Sequence, residues 1–314
     1  MKILLPDTAP ETPTAPAGTE IVTYRVNDPV PAEHLDAEVL VVWGNTRAQL
    51  ADCADRLEHL RWVAVLAAGP DVALSAGFAP EVIITSGRGL HDVPVAEHTL
   101  ALVLAITRRL DLFGQVQREH RWDDQVLGGI QRPGRFPGLA TLQGKKVTIW
   151  GFGSIGQALA PHLAALGAQV VGVATHAGER NGFRVIDDAG LPARLAETDL
   201  LIGILPASPG TRHAIDATTF AALPPHSWVV NVGRGMTLDD GALVQAITSG
   251  DIAGAALDVV ETEPLPADSP LWDLPGVWIT PHAAGGRPQG VAAFLESNLT
   301  AFLEGRPLRN VVAR

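Results

Sequence analysis

Residues 147–160 read VTIWGFGSIGQALA: an apolar run, three glycines and a helix-forming run in immediate succession. Gly151, Gly153 and Gly156 carry the spacing G-x-G-x-x-G, directly after KVTIW and before QALAPHLAALGA, which Gly167 stops. A strand that turns at once into a helix needs a first glycine for the tight turn and a third for close helix–strand packing. The second removes a side chain where backbone must approach a ligand, and the helix start offers N–H groups and the positive end of its dipole. The triplet alone also fits a ligand-free turn. The context of strand, turn, helix and then the strand QVVGVA singles out a pyrophosphate, and predicts a dinucleotide cradle of Gly151, Gly153, Ser154, Ile155 and Gly156.

Apolar runs alternate with helical patterns along most of the chain, the signature of βαβ units and hence of an α/β fold with parallel sheets. Strands are expected at Ile3 to Leu5, 39–44, 60–69 and 82–87, with a helix in TRAQLADCADRLEHL and a loop from Pro6 to Gly18, whose prolines remove backbone donors. From Pro94 to about Arg109, apolar residues run almost all round a predicted helix, which therefore must be buried. The Gly/Pro-rich stretch GGIQRPGRFPG (128–138) is the candidate hinge. Six strands follow at 147–150, 170–174, 200–205, 229–232, 253–258 and 277–280, the count of a complete doubly wound dinucleotide-binding sheet. A last helix is expected in GVAAFLESNLTAFLEG.

With 314 residues, two domains and a cleft between them are the natural expectation. No apolar stretch approaches the roughly 18 residues of a membrane span, and the start lacks the apolar core of a secretory signal. A formal net charge of −11 argues against general nucleic-acid binding, which depends on lysines and arginines neutralising phosphates. The lone Cys53 excludes an internal disulfide and a cysteine-based zinc site, no metal is expected, and a reducing, cytoplasmic location fits.

In such a unit an acid at the end of the second strand, about 20 residues on, holds the ribose 2′-hydroxyl. Here that place is Ala174, followed by Thr175 and His176. The missing carboxylate removes an acceptor for the hydroxyl and a charge that would repel a 2′-phosphate. Thr175, His176 and Arg180 are candidates to hold that phosphate, which favours NADP over NAD as cofactor.

From Gly144 to His282 the chain resembles the D-isomer-specific 2-hydroxyacid dehydrogenase family. The matching stretches are LQGKKVTIWGFGSIGQALA, NVGRGMTLDDGALVQAITSGDIAGAALDVVETEPLP and SPLWDLPGVWITPH, with VPVAEHTLALVLAITRR and EGRPLRNVV similar to the family's interdomain helix and C-terminal end. The first 80 or so residues match only in strand pattern. The resemblance implies two Rossmann-like domains, the cofactor domain a doubly wound parallel sheet inserted into a discontinuous flavodoxin-like substrate domain. The expected division is residues 1–93 plus 284–314 and residues 94–283, with a homodimer.

The resemblance also assigns chemistry. Arg234, past the strand WVVNV, would bind the substrate's carboxylate and keto oxygen through its planar fork. His282 would protonate the developing alkoxide as hydride reaches the keto carbon, with Glu263 orienting its ring. Asp258 would accept from the nicotinamide carboxamide, and Pro206 in LPASPGT would lie against the cofactor. Gly87, Arg88 and Gly89 would help hold the substrate carboxylate, while Trp272 is either pocket lining or packing and His98 is expected to be structural. The implied activity is NAD(P)-dependent reduction of a small 2-keto acid to its 2-hydroxy acid. Two rivals stay open: a regulatory protein that binds a nicotinamide dinucleotide without turnover, and oxidation of a small acid such as formate or phosphite.

Overall fold

The computed structural model describes residues 1–123 and 139–312. The candidate hinge at 128–138 lies outside them. The chain divides into two compact units, Met1–Asp92 with Gly285–Arg314, and Val93–Ala284. No helix among the described residues is long and apolar enough to cross a membrane.

In the first unit five strands form one parallel sheet: β1 (Lys2–Pro6), β2 (Glu20–Tyr24), β3 (Val39–Val42), β4 (Trp62–Val65) and β5 (Ile83–Thr85), in the order β2-β1-β3-β4-β5. This is the flavodoxin-like order. β2 was not among the expected strands; EIVTY is a short edge strand with one buried residue, so it lacks the continuous apolar run that marks its neighbours. Alternate residues of each strand face opposite layers. Ile3, Leu5, Val39 and Val41 pack with Val291, Phe294 and Leu295 of the helix Val291–Leu303. Leu4, Leu40 and Val63 pack with Leu50 and Cys53 of the helix Arg47–Arg56.

The second unit holds an eight-stranded sheet. Its members are β6 (Lys146–Trp150), β7 (Gln169–Val173), β8 (Gly178–Arg180), β9 (Phe183–Ile186), β10 (Leu200–Gly203), β11 (Trp228–Asn231), β12 (Gly254–Leu257) and β13 (Val277–Ile279). The order is β13-β12-β11-β10-β6-β7-β9-β8, parallel but for β8. The run from β9 to β12 is the doubly wound 3-2-1-4-5-6 order. Its third strand is β9, not among the six expected; β13 extends the sheet by one more. β8 and β9 pair around Asn181-Gly182, with φ of +50° and +79°, the two-residue loop for which Asn-Gly is the strongest short signal.

One face of this sheet, through Val147 and Ile149, packs on Leu159 and Leu163 and on Val103 and Ile106 of the helix Asp92–Arg108. That helix stops where Arg109 adopts φ +49°, and a second one, Leu110–Arg118, begins at once. The opposite face, through Leu201, Val229 and Leu257, packs on Phe220 and Leu243.

Candidate active site

The glycine turn leaves the carboxyl end of β6, where open α/β sheets bind ligands. Gly151 has φ +100°, and a Cβ there would lie 2.4 Å from the carbonyl oxygen of Ile204, so no other residue fits. Gly156 packs against the Gly151 carbonyl, 3.2 Å from where its own Cβ would be. Gly153 differs: a Cβ would meet nothing within 4 Å. It is the N-cap of the helix Ser154–Ala165, without a side-chain cap, beside that open space. This helix start fits a pyrophosphate.

A cavity of about 600 Å³ adjoins this turn, lined among others by Gly151, Gly153, Thr175, Arg180 and Pro206. Arg180 reaches it from the β8–β9 hairpin and donates to the carbonyls of Phe152 (2.9 Å) and His176 (3.2 Å). These bonds use two of the five N–H groups of a guanidinium. Of the three residues expected to meet a 2′-phosphate, Thr175 and Arg180 line the cavity; exposed His176 contributes its carbonyl to Arg180. Sequence reasoning missed Asp188, the acid in the cavity wall, which follows the unexpected strand β9.

Arg234 follows β11 between two glycines with separate steric reasons. A Cβ on Gly233 would come within 2.6 Å of the Leu205 carbonyl, and one on Gly235 within 1.7 Å of the Val260 carbonyl. The Arg234 turn thus lies directly on the loop that carries Glu263. Its carbonyl accepts from the Thr237 hydroxyl (2.6 Å), and Nη1 donates to Gly233 O (2.8 Å).

Glu263 and His282, 19 positions apart, meet: Glu263 Oε2 lies 2.7 Å from His282 Nδ1. Glu263 Oε1 also accepts from the Val260 N–H (3.3 Å). Farther back, Glu261 accepts from Arg212 (2.6 Å) and His213 (2.8 Å), while its N–H donates to Asp240. Burial raises the carboxyl of Asp240 above its ordinary value. His282 and Glu263 sit on a cavity of about 520 Å³ whose other walls include Leu265, Trp272, Ile279 and Pro281. Trp272 therefore lines it, held by its Nε1–H on Pro266 O (2.9 Å).

Asp258, 2% exposed, is engaged within the protein. Its carboxylate accepts from the Thr280 hydroxyl (2.6 Å) and from the N–H groups of Ala283 (2.8 Å) and Ala284 (3.0 Å). Gly87, Arg88 and Gly89 belong to the first unit, where Gly87 approaches the Leu66 carbonyl too closely for any Cβ and Arg88 Nη2 donates to Asn310 (3.3 Å).

Residues 100–284 match the family described as D-isomer specific 2-hydroxyacid dehydrogenase, NAD binding domain. The chain belongs to this family. Among family relatives, the D-3-phosphoglycerate dehydrogenase of Methanocaldococcus jannaschii is 28% identical over 301 residues, 93% of this chain and 55% of that protein. The chain thus spans about half the length of the first curated relatives it matches. The glyoxylate reductase of Aeropyrum pernix is 32% identical over 281 residues, 84% of this chain and 79% of that protein. The crystal structure of an NADPH-dependent glyoxylate/hydroxypyruvate reductase from Sinorhizobium meliloti, in complex with NADP and sulfate, superposes with a TM-score of 0.79 at 29% identity, covering 99% and 97% of the two chains. In this dehydrogenase-family chain the glycine turn, the Arg234 turn and the His282 turn all leave the carboxyl ends of strands in one sheet.

Proposed function

We propose that this protein is an NAD(P)-dependent 2-keto acid reductase acting on a small acid such as glyoxylate or hydroxypyruvate, and reversibly on the D-2-hydroxy acid. The observation that carries the reading is the 2.7 Å contact of Glu263 with His282 Nδ1, which leaves Nε2 as the ring nitrogen for proton transfer. The nicotinamide dinucleotide supplies the hydride when bound. Gly151, Gly153, Ser154, Ile155 and Gly156 hold its pyrophosphate, and Pro206 lies against it. Arg234 binds the acid's carboxylate and keto oxygen and polarises the carbonyl. His282 delivers the proton to that oxygen, while Glu263 fixes the ring and stabilises its charged form. Gly87, Arg88 and Gly89 are the first unit's candidates for contact with the carboxylate.

NADP is the preferred cofactor in this reading. Arg180 lines the cavity beside the glycine turn, Ala174 leaves no acid at the end of β7, and the Sinorhizobium meliloti relative is NADPH-dependent. Replacing Arg180 with Ala should raise KM for NADPH about tenfold, the loss of one charge-assisted contact, and leave KM for NADH nearly unchanged. Equal effects on both would remove the phosphate assignment. Leu110 and Phe113, 49% and 42% exposed on the helix Leu110–Arg118, support a homodimer, which sedimentation velocity checks. The location assigned is the cytoplasm, in keeping with the single buried Cys53.

The test is a steady-state comparison of NADPH with NADH across a panel of 2-keto acids. Tight cofactor binding with no turnover on any acid would replace this reading by a dinucleotide-binding regulatory role. Arg234→Lys should raise KM for the keto acid, because an ammonium lacks the bidentate fork; an unchanged KM contradicts the role given to Arg234.

A further inference from the structure

His282 holds a backbone angle of φ +53°, in the left-handed region that strains a non-glycine residue. Such a conformation persists only where its surroundings over-determine it, and here one residue does most of that. Asp258 accepts from three consecutive N–H groups: His282 on its carbonyl (2.8 Å), then Ala283 and Ala284 on its carboxylate. The β12–β13 register, Leu257 beside Ile279, brings Asp258 alongside Thr280 and so beneath this turn.

The Asp258 carboxylate is buried, and a buried carboxylate needs its lone pairs filled. Three donors are the Thr280 hydroxyl and the two backbone amides. Thr280 and Ala283 meet Oδ1 and Ala284 meets Oδ2, and the group that fixes the hydroxyl comes from outside the turn. His98, on the helix Asp92–Arg108, places Nε2 at 3.3 Å from Asp258 Oδ1 and 3.0 Å from Thr280 Oγ1. The Thr280 hydroxyl hydrogen is directed to Asp258 at 2.6 Å, so Thr280 can only accept from His98, which assigns the hydrogen to Nε2. His98 thereby fixes the rotor of the hydroxyl that donates to the carboxylate, with its ring nitrogen within ion-pair distance of Oδ1.

Resting on the reading of His282 given above, we propose that His98 is a positioning residue for the proton donor. It acts through Thr280 and Asp258 to hold the left-handed His282 turn, and touches neither substrate nor cofactor. Proton transfer tolerates little misplacement, since about 1 Å can lower a rate by roughly 100-fold. The role is therefore visible in kcat and not in binding.

The experiment compares His98→Ala, His98→Gln, Thr280→Val and Thr280→Ser with the parent protein. In His98→Ala and Thr280→Val, kcat should fall by roughly 10- to 100-fold while KM for cofactor and keto acid stays within about twofold. His98→Gln, which keeps an N–H donor, and Thr280→Ser, which keeps the hydroxyl, should recover most of kcat. A second readout does not need turnover: modification of His282 by diethyl pyrocarbonate, followed by peptide mass spectrometry, should change several-fold in His98→Ala and Thr280→Val. Either readout unchanged in both variants overturns the proposal, as does a loss carried by KM for the cofactor. A parent protein without turnover counts against the proposed reductase, not against this inference, which the modification rates then decide alone. Should His98→Ala fail to fold, the near-isosteric Thr280→Val decides.

Discussion

Two turns in the second unit do opposite things with the same backbone region. After β6, Gly151 turns at φ +100°. Beyond β13, His282 turns at φ +53°. Glycine reaches that region without strain, so the φ of the first turn needs no network to hold it, although Arg180 donates to the Phe152 carbonyl within it; in the proposed reading it presents bare backbone to the cofactor. Histidine does not, so the second is clamped by Asp258, Thr280 and His98. A turn that binds through its backbone is built from missing side chains. In the proposed reading the second delivers a proton and must keep its side chain, so stability for it comes from a hydrogen-bonded network.

The comparison breaks most severely at Gly151. A Cβ there meets the Ile204 carbonyl at 2.4 Å in a conformation that alanine avoids, so Gly151→Ala should lose more than about 3 kcal/mol of stability, read by denaturant unfolding. Stability close to the parent's would mean that the turn tolerates a side chain. Next is Asp258→Ala, which strips the acceptors from two backbone N–H groups and a hydroxyl. A loss of about 2–4 kcal/mol is expected in the same assay, together with lower kcat. Retained kcat would show that the His282 turn holds itself. Gly153→Ala is the subtlest: with nothing within 4 Å of the new methyl, stability should stay within about 0.5 kcal/mol while cofactor affinity, by fluorescence titration, falls about tenfold. Unchanged affinity would show that no ligand backs onto that residue.

The contrast also explains what was legible in the sequence. Glycine spacing is local, so the strand–turn–helix could be read directly from Gly151, Gly153 and Gly156, and the long apolar runs marked the strands that are buried on both faces. Short strands with mixed residues escaped. EIVTY at the edge of the first sheet and FRVI beside β7 lack a continuous apolar run, though Asn181-Gly182 was a usable hairpin signal. The Asp258 network could not be read in the same way. Its partners lie 22 to 26 positions away and meet only through the pairing of β12 with β13. Asp258 was expected to face the nicotinamide carboxamide; its carboxylate accepts from Thr280, Ala283 and Ala284, and the residue also lines the cavity beside His282. His98, expected to be structural, stands against that carboxylate because of where the helix Asp92–Arg108 runs.

The most direct test of the central claim is single-variant kinetics: reduction of glyoxylate or hydroxypyruvate with NADPH by the parent and by His282→Ala, with cofactor affinity measured separately. Loss of a general acid should lower kcat by roughly 10²- to 10⁴-fold and leave the cofactor's Kd nearly unchanged. Parent-like turnover in His282→Ala would contradict the account.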